Sequence, residues 1–446
     1  MAKAAWEGTL FEKREEICDM ISTEFHDQAT RHDVANQIRM AMGLAPHNGD
    51  TVLNEYDEEA LMGMVNSQSI VAANPEACRM CPEDERSCEK ACPLHAITRD
   101  ELGKVHIDQD NCMGEGHCIS ACSFGALEQK AQFVPLIKLL KGRVHPIYAS
   151  IAPAFVGQFG PDVTPGKLHS ALLSLGFSHV LETALYADLI TMKEAFEFEE
   201  HVKTAHDFMF TSCCCPVWIK LIENKFPELV KHISPSVSPM VASARVIKQF
   251  DPEAKVVFIG PCIAKKSEAM LPDVRGTIDY VLTFQELATV FEAANINPAV
   301  QEDNEQAMAS WGGRVYAYTG GVSAAVATTL EKLIPHHSQK LVPIIVDGLP
   351  DCQKLLTEIK NGQRTANFIE GMACKGGCVG GPGRILPTEQ GRKHVAIYGQ
   401  NALASTPVEN PQVYATLLRL GHENEISSLT GASPMAELLA RKSALK

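Results

Sequence analysis

The sequence has no long hydrophobic run. No segment approaches the roughly 18–20 consecutive apolar residues that a membrane-spanning helix needs, although 45% of the 446 residues are apolar. The first residues, Met1-Ala-Lys-Ala-Ala-Trp-Glu-Gly8, lack the charged and apolar regions of a signal peptide and contain no arginine pair. These absences predict a cytoplasmic protein that does not enter a membrane.

Positive charge is scarce relative to negative charge. Lysine and arginine number 40 against 54 aspartates and glutamates, which gives a formal net charge of −14 at pH 7. A surface of that sign repels phosphate backbones, so nucleic acid is not expected as a partner. Cysteine, by contrast, is abundant, with 15 residues. In a cytoplasmic chain so many thiols indicate metal binding or redox chemistry rather than structural disulfides.

Three loops carry cysteines directly after short apolar runs that are typical of buried strands. They are Thr211-Ser-Cys-Cys-Cys-Pro-Val-Trp218, Gly260-Pro-Cys-Ile-Ala-Lys-Lys-Ser-Glu268, and a loop that contains Cys374 and Cys378. Five glycines in the last loop let the backbone pass close to a bulky inorganic ligand. Taken alone, Cys374 and Cys378 could equally be two core thiols. Three strand ends that all present thiols indicate one shared metal site.

Seven further cysteines lie upstream in two runs. Their spacing resembles the bacterial two-cluster ferredoxin, in which the last cysteine of each run binds the other cluster. By that rule one 4Fe-4S cluster takes Cys78, Cys81, Cys88 and Cys122, and the other takes Cys92, Cys112 and Cys118. Zinc is the alternative, since closely spaced cysteine pairs also bind zinc. Seven cysteines with a Cys-Pro step favour iron–sulfur clusters.

The second run departs from the ferredoxin pattern at Glu115. A cysteine would be expected at this position of Cys112-Met-Gly-Glu-Gly-His-Cys118. Carboxylate is a harder ligand than thiolate and holds the iron of such a cluster less firmly. We therefore expect either a cluster that Glu115 ligates or one that loses an iron to become 3Fe-4S. His117, next to Cys118, is an alternative ligand.

From about Val144 the chain alternates strand-like and helix-like segments, which is typical of parallel sheets covered by helices. Strands are predicted at residues 145–151, 179–183, 207–210, 256–259, 280–283, 315–318, 343–346 and 367–370. Helices are predicted at 12–21, 34–42, 58–71, 216–231, 284–295, 322–334 and 352–360. The sequence thus divides into a helical module at 1–72, a two-cluster ferredoxin-like α+β domain at 73–130 and an α/β domain at 131–446, in which residues 388–446 form a helical extension.

Together, and in this order, the three cysteine loops closely resemble the signature loops of the FeFe (iron-only) hydrogenases. The resemblance extends upstream to about Cys78. It implies a catalytic α/β domain of two parallel-sheet lobes with a metal site, the H-cluster, between them. That site is a 4Fe-4S cubane joined to a di-iron unit that carries CO, cyanide and a bridging dithiolate amine. The implied ligands, the last of which also bridges to the di-iron unit, are Cys215, Cys262, Cys374 and Cys378.

The resemblance also implies which residues surround the cofactor. Lys265 would hydrogen-bond a cyanide, and further contacts would come from Ala152, Pro153 and Met372. Gly260 stands where the family usually has methionine, and Met240 where glutamine is common. With the Thr-Ser-Cys-Cys-Cys-Pro loop, these changes indicate a divergent subgroup.

A proton path is implied as well. Glu194 and Glu197 lie three residues apart and hence on one face of a helix. From the residues alone such a pair is expected to face solvent, whereas the resemblance places it in a proton path with a cysteine and Ser234. His201, one turn further along, is either an outer proton entry or a surface histidine.

Three adjacent cysteines leave two registers for the first loop. Counted from Thr211, Cys213 would move the proton and Cys214 would bind the cubane. Counted back from Pro216, Cys214 is the proton relay and Cys215 the ligand, and Cys213 is a bystander or an outer thiol. We prefer the second register, because a helix that begins at Pro216 fixes the ligand against the cluster.

The resemblance therefore predicts a hydrogenase that interconverts H2 with two protons and two electrons at the di-iron site, with the bridging amine as the immediate base. Electrons would pass through the two ferredoxin-type clusters to an external carrier such as ferredoxin. Maturation proteins would deliver the di-iron unit. The alternatives are an iron–sulfur assembly protein without H2 activity, a slow sensory hydrogenase and a plain electron carrier.

Overall fold

A computed structural model of the chain describes residues 1–24, 31–47, 52–53, 57, 70–101, 103–108, 111–211, 213–363, 365–422 and 426–441. The strands of these residues form four sheets, two of two strands, one of three and one of four. Within the same residues, no helix combines the length and the apolar character needed to cross a lipid bilayer.

The described residues of the N-terminal module include the helices Ala2–Glu7, Arg14–Glu24 and Arg31–Ala41. They enclose an apolar cluster in which the Cys18 side chain is fully buried. A buried ion pair of 2.6 Å between Arg39 and Asp57 joins this cluster to the segment that follows. Of the helix predicted over residues 58–71, residues 58–69 lie outside the described residues, and Val71 begins a strand instead.

Four short strands build the accessory domain: β1 (Val71–Ala73), β2 (Ile97–Arg99), β3 (Val105–Ile107) and β4 (Leu127–Gln129). β1 pairs antiparallel with β4, and β2 with β3. The short helices between them are Pro75–Met80, Ser87–Ala91 and His117–Ala121. The backbone N–H groups of Ala96 and Ala126 each donate to the sulfur four residues earlier, in Cys92 and Cys122, at 3.3 Å. This repeated geometry is the expected two-fold ferredoxin-like arrangement.

Seven strands build the α/β domain: β5 (Ile147–Ile151), β6 (His179–Glu182), β7 (Met209–Phe210), β8 (Lys255–Gly260), β9 (Tyr280–Thr283), β10 (Pro343–Asp347) and β11 (Phe368–Met372). One parallel sheet has the order β6-β5-β8-β9, and the other has the order β10-β11-β7. β8 is buried on both faces apart from its first residue, which is why it reads as one continuous apolar run. Two parallel-sheet lobes are thus confirmed.

The predicted strand over residues 315–318 is wrong. Val315–Ala317 forms a single 3-10 turn that follows the short helix Trp311–Arg314. The Ser310 hydroxyl caps that helix, and the Arg314 guanidinium is fixed by a buried ion pair with Glu182 at 3.0 Å. The chain is therefore held in a tight turn, and the apolar triplet packs as core without a partner strand. Short apolar runs do not distinguish these outcomes.

The helix predicted over 216–231 is interrupted. It consists of Pro216–Lys225 followed by the 3-10 helix Pro227–His232. Pro227 lacks an N–H group and disfavours helical geometry at Phe226, whose φ is −137°. The helix predicted from Cys352 begins three residues earlier, at Leu349, and Cys352 is fully buried in an apolar cluster.

The remaining helices alternate with the strands or close the chain. They are Phe133–Gly142, Pro165–Leu175, Thr183–His201, Pro239–Phe250, Ala264–Ala269, Phe284–Ala293, Gly321–Leu333, Leu349–Lys360, Thr388–Gln400, Pro411–Arg419 and Pro434–Leu438. After the last helix the chain returns to the α/β domain, where Arg441 donates to the carbonyl oxygens of Ser236 and Cys213. The C-terminal segment is thereby hydrogen-bonded to the first cysteine loop.

A buried lysine connects the accessory domain to the α/β domain. Lys266 is fully buried, and its ammonium group donates to Gln129 Oε1 at 3.0 Å, to the Lys130 carbonyl at 2.9 Å and to Glu286 Oε1 at 2.8 Å. These three acceptors belong to β4, to the residue after it and to the helix Phe284–Ala293. Lys266 therefore fixes one domain against the other.

Candidate metal centre

The four predicted metal ligands come from three loops at the carboxyl ends of parallel strands. Cys215 directly precedes the helix Pro216–Lys225, Cys262 follows β8, and Cys374 follows β11. Cys378 begins the 3-10 turn Cys378–Gly380. The helix predicted to begin at Pro216 is confirmed. The carboxyl edge is where parallel α/β sheets generally bind their ligands.

These four cysteines lie beside one another and are partly buried, and none forms a disulfide. Burial, together with neighbouring thiolates and against the charge of Lys265, raises the pKa of Cys262 to about 11 and the pKa of Cys378 to about 12. Such thiols ionise only where positive charge compensates them. The described residues contain no group of three or more Cys, His, Asp or Glu side chains tight enough for a single metal ion. A cubane needs four thiolates spread around a larger body, and these four thiols fit that need.

A cavity of about 50 Å³ opens beside Cys378. Its lining includes the predicted residues Ala152, Pro153, Cys214, Cys262, Lys265 and Cys378. Most other lining residues are apolar, so the cavity suits a compact group that must be kept from bulk water. Met372 is not among the lining residues; it is buried in an apolar cluster with Phe368 and Val315. The predicted contact of Met372 with the cofactor therefore has no counterpart in this cavity.

Lys265 is the charged side chain in this lining. Its ammonium group forms an ion pair of 2.6 Å with Glu268, and both side chains are buried. Burial alone would lower the pKa of Lys265, but the Glu268 carboxylate and the thiolates of Cys262 and Cys214 outweigh it, so the pKa is raised. The cavity therefore contains a fixed cation suited to an anionic ligand such as cyanide.

Phe258 and Tyr316 are among the residues of the cavity wall that were not anticipated from the sequence. The hydroxyls of Tyr316 and Thr191 are 2.9 Å apart and hydrogen-bonded. A signal for Phe258 existed in Gly260, because a Cβ at that position would lie 2.8 Å from the Phe258 ring. The Phe258 ring and Ala152 thus occupy the space that a side chain at residue 260 would need.

The two glutamates of the predicted proton path are buried on the helix Thr183–His201. The expectation from residues alone, that they face solvent, is wrong, because this helix is enclosed by other elements over most of its length. Thr211 donates to Glu194 at 2.6 Å, and Ser234 donates to Glu197 at 2.7 Å. Burial and the neighbouring Glu197 charge raise the pKa of Glu194 to about 7. Glu194 can thus both take up and release protons near neutral pH.

The adjacent cysteines occupy different places. Cys214 lines the cavity with Lys265 and Cys378. Cys213 lies outside that lining and flanks the Glu194 carboxyl. Burial is the main reason that the pKa of Cys213 is raised, and the charge of Glu194 adds to the effect. The two thiols therefore stand in sequence between the cavity and Glu194.

The accessory cysteines fall into the two predicted sets. The thiolates of Cys81, Cys88 and Cys122 all raise the pKa of Cys78, although burial is the main cause of its rise to about 12. Cys122, from the second run, is thus placed with the first three. Cys92, Cys112, Cys118 and Glu115 line a second cavity together. This is the crossed arrangement that the ferredoxin rule requires.

The Glu115 loop packs tightly against the catalytic loops. Its flanking glycines have positive φ angles of 66° at Gly114 and 85° at Gly116. A Cβ on Gly114 would lie 2.5 Å from the Ser267 hydroxyl, and one on Gly116 would lie 2.6 Å from Ile263. The Glu115 carboxylate lies 3.3 Å from the His117 ring and raises the pKa of that histidine. The second accessory cavity thus adjoins the loop that carries Cys262.

Comparison with protein families gives two matches. Residues 145–382 match the family described as the iron-only hydrogenase large subunit, C-terminal domain. Residues 81–133 match the LdpA Fe-S cluster-binding domain. The chain is therefore an iron–sulfur protein in both parts, as the cysteine pattern predicts.

Similar curated proteins include hydrogenases. An NADP-reducing hydrogenase subunit of Solidesulfovibrio fructosivorans is 27% identical over 69% of this chain and 63% of its own length. The periplasmic iron hydrogenase large subunit of Nitratidesulfovibrio vulgaris is 31% identical over 68% of this chain and 84% of its own. The chain thus spans less than two thirds of the first relative and most of the second.

Other similar proteins carry different names. The nuclear prelamin A recognition factor of Xenopus laevis is 24% identical over 70% of this chain and 82% of its own. A probable cytosolic Fe-S cluster assembly factor of Drosophila erecta is 23% identical over 65% of this chain and 74% of its own length. Among solved structures, a variant of the FeFe hydrogenase of Chlamydomonas reinhardtii superposes with a TM-score of 0.52 at 23% identity, covering 67% of this chain and 94% of that chain. That likeness shows the fold.

Proposed function

Because the chain belongs to the iron-only hydrogenase large-subunit family, we propose that it interconverts H2 with two protons and two electrons. One observation carries the proposal. The thiols of Cys262 and Cys378 line an apolar cavity that also contains the Lys265 ammonium group and the thiol of Cys214, and the thiols of Cys215 and Cys374 lie beside them. An electron carrier or an assembly scaffold has no use for that ammonium group or for the Cys214 thiol.

In this proposal Cys215, Cys262, Cys374 and Cys378 would hold the cubane, and Cys378, which lines the cavity, would also bind the di-iron unit. When bound, that unit would supply the iron and the amine base for H2 chemistry. The Lys265 ammonium group would donate a hydrogen bond to a cyanide of the unit. Ala152, Pro153 and Phe258 exclude water from the reacting side.

Protons would travel along side chains that are already aligned. Cys214 Sγ moves a proton between the cavity and Cys213, and Cys213 flanks the Glu194 carboxyl. Glu194, with a pKa of about 7, takes up and releases that proton with little cost. Ser234 and Glu197 continue the path outwards.

Electrons would travel through the accessory domain. Cys92, Cys112, Cys118 and Glu115 would hold the inner cluster, and Cys78, Cys81, Cys88 and Cys122 the outer one. The contact of the Glu115 loop with Ile263 and Ser267 supports an inner cluster that would lie next to the cubane. A ferredoxin-like carrier in the cytoplasm would exchange electrons with the outer cluster, and maturation proteins would insert the di-iron unit.

A second candidate is iron–sulfur assembly without H2 chemistry. It is favoured by the similarity to the assembly factor of Drosophila erecta at 23% identity. A slow, sensory hydrogenase is a variant of the first proposal and would differ in rate rather than in cofactor. The retained bridging cysteine and the cavity with its lysine favour hydrogenase chemistry over assembly.

Infrared spectroscopy of anaerobically matured protein tests the proposal. We expect CO and cyanide stretching bands together with H2 evolution from a reduced dye. Cys378→Ala should lose the bands, whereas Cys352→Ala, which removes a buried thiol outside the cavity, should keep them. Absence of the bands in the wild type, with all cubanes intact, would favour the assembly function. Bands with very low turnover would favour the sensory one.

A further inference from the structure

A lysine connects the regions that would hold the inner accessory cluster and the cubane. Lys220 lies on the helix Pro216–Lys225, which begins directly after Cys215. Its ammonium group donates a hydrogen bond of 2.9 Å to the carbonyl oxygen of Cys112, a residue 108 positions away in the chain. Cys112 lines the second accessory cavity, where the inner cluster would bind. Lys220 therefore places a cation beside a predicted ligand of that cluster.

The surroundings of this cation are apolar. Ile219 and Leu221, its two neighbours in the helix, belong to the apolar cluster that lies between the two predicted metal sites. Lys220 itself is half-buried. A charge is screened less in such a place than in water, so its field should reach the inner cluster. The same apolar cluster packs against predicted ligands of both sites, namely Cys92, Cys215 and Cys262.

The Lys220 charge has no carboxylate partner in the part of the chain that the structure describes. Its ammonium group forms no ion pair there, and Glu223, about one turn further along the helix, is exposed to solvent. Buried lysines of the α/β domain behave differently, because each pairs with a buried glutamate. These paired lysines are Lys193, Lys265 and Lys266. The charge of Lys220 is therefore available to an anionic group at the inner site.

The outer accessory site offers a comparison. There the Arg99 guanidinium donates a hydrogen bond of 3.0 Å to the carbonyl oxygen of Cys78, a predicted ligand of the outer cluster. Arg99 also forms an ion pair of 2.7 Å with Glu89, and this carboxylate offsets its charge. Both accessory sites thus have a cation at the carbonyl oxygen of a predicted ligand. Among the described residues, the cation at the outer site is paired with a carboxylate and the cation at the inner site is not.

We propose that Lys220 is a positioning residue of the electron path, whose charge makes the inner cluster easier to reduce than the outer one. The potential of an iron–sulfur cluster depends on its net charge and on the hydrogen bonds and exposure around it. When one electron passes inwards, the outer cluster is oxidised, the inner cluster is reduced and gains one negative charge, and no proton moves. Lys220 Nζ, fixed by the Cys112 carbonyl, stabilises that added charge. This role rests on the proposed function for the ligands of the inner cluster and needs no H2 chemistry.

A redox titration followed by electron paramagnetic resonance tests this role without turnover. The protein would hold its iron–sulfur clusters but no di-iron unit, and the inner-cluster signal is the one that Cys118→Ser alters. In Lys220→Met the equilibrium constant for one-electron reduction of this cluster should fall about tenfold, which is about 59 mV. Lys220→Arg keeps the charge and should stay near the wild-type potential. Lys225→Met, exposed at the end of the same helix, is the matched control and should not change it.

Lys220→Gln separates the charge from the hydrogen bond. Glutamine keeps a donor without a charge, so the potential should fall nearly as far as in Lys220→Met, with the shape of the signal unchanged. A wild-type potential in Lys220→Gln would overturn the role, as would an equal fall in Lys220→Arg. Loss of the inner-cluster signal in Lys220→Gln would show a merely structural role. A wild-type inner cluster that is harder to reduce than the outer one would also contradict the proposal.

Matured enzyme distinguishes this role from the hydrogenase function. With reduced ferredoxin as donor, H2 evolution by Lys220→Met should fall by about tenfold, the factor by which reduction of the inner cluster becomes less favourable. Isotope exchange between H2 and D2O needs no external electrons and should not change. An equal loss in both reactions would place the defect at the metal centre and overturn the role. Wild-type protein that evolves no H2, but whose inner cluster still responds to Lys220→Met, would leave the role standing and refute the hydrogenase function.

Discussion

The Ser234 hydroxyl donates a hydrogen bond of 2.7 Å to the Glu197 carboxylate, and both side chains are almost wholly buried. This contact joins two elements that are 37 residues apart in the chain. Together with the hydrogen bond of 2.9 Å that Ser236 donates to the other oxygen of Glu197, it ties the helix with the glutamates to the segment with the serines.

Removal of that hydroxyl should interrupt proton transfer without damage to the metal centre. Ser234→Ala is expected to lower H2 turnover by about 100-fold, a typical loss for a positioned proton-transfer group. Ser238→Ala is a contrasting variant, because Ser238 caps the helix Pro239–Phe250. It should lower stability by about 1 kcal/mol and leave turnover per folded molecule unchanged. Turnover and infrared bands would be measured on both. Equal turnover in the two variants would count against the path.

Infrared spectra and turnover rates should distinguish the roles of the adjacent Cys213 and Cys214. Cys214→Ala is expected to keep the CO and cyanide bands and to lose most turnover, because Cys214 lines the cavity. The sequence alone predicts that Cys213→Ala keeps both. Its place beside Glu194 changes that expectation to a partial loss of about tenfold. If Cys214→Ala destroyed the cubane instead, the other register of the loop would be right.

Glu194 should make stability depend on pH. Its pKa is raised from 4.5 to about 7, so the folded protein retains a proton that the unfolded chain releases. Stability should therefore fall as pH rises from about 4.5 to about 7 and level off above that range. Glu194→Gln removes the effect and should stabilise the protein at pH 8 by about 3 kcal/mol, at roughly 1.4 kcal/mol per pKa unit. A rise in thermal midpoint at pH 8, with little change at pH 4.5, is the expected measurement. Equal shifts at both pH values would contradict it.

Glu115 should alter the inner accessory cluster. Its carboxylate lines the same cavity as Cys92, Cys112 and Cys118. We expect oxidised wild type to give an electron paramagnetic resonance signal of a 3Fe-4S or carboxylate-ligated cluster, and Glu115→Cys to convert it to an all-cysteine 4Fe-4S cluster with another potential. Glu85→Cys, on an exposed turn outside the cavity, serves as control. Identical spectra for wild type and Glu115→Cys would show that Glu115 is no ligand.

The sequence predicts the frame of this molecule better than its cavities. Strands such as Lys255–Gly260 are buried on both faces and leave an unmistakable apolar run. Cysteines after strand ends meet because parallel strands bring their carboxyl ends to one edge, so the four thiols could be predicted as one group.

Other features depend on contacts between distant segments. Phe258 and Tyr316 reach the same cavity from positions 58 residues apart; Gly260 is a local signal for Phe258, and nothing local to Tyr316 signals its place in the cavity. The burial of Glu194 depends on the elements packed around its helix, whereas the sequence pattern of that helix alone suggests that Glu194 faces solvent. Likewise, the turn at Val315–Ala317 follows from the buried pair of Arg314 with Glu182, more than 130 residues away.

Lys266 has a consequence for how electrons move. Its ammonium group donates hydrogen bonds to three acceptors, which come from both domains, and the side chain is fully buried. Breaking that contact would leave a buried charge without partners, which is costly. The accessory domain therefore cannot swing out to collect electrons and return, as a tethered shuttle would. Glycerol, which slows diffusive domain motion, should leave the internal transfer rate unchanged and slow only the encounter with an outside donor.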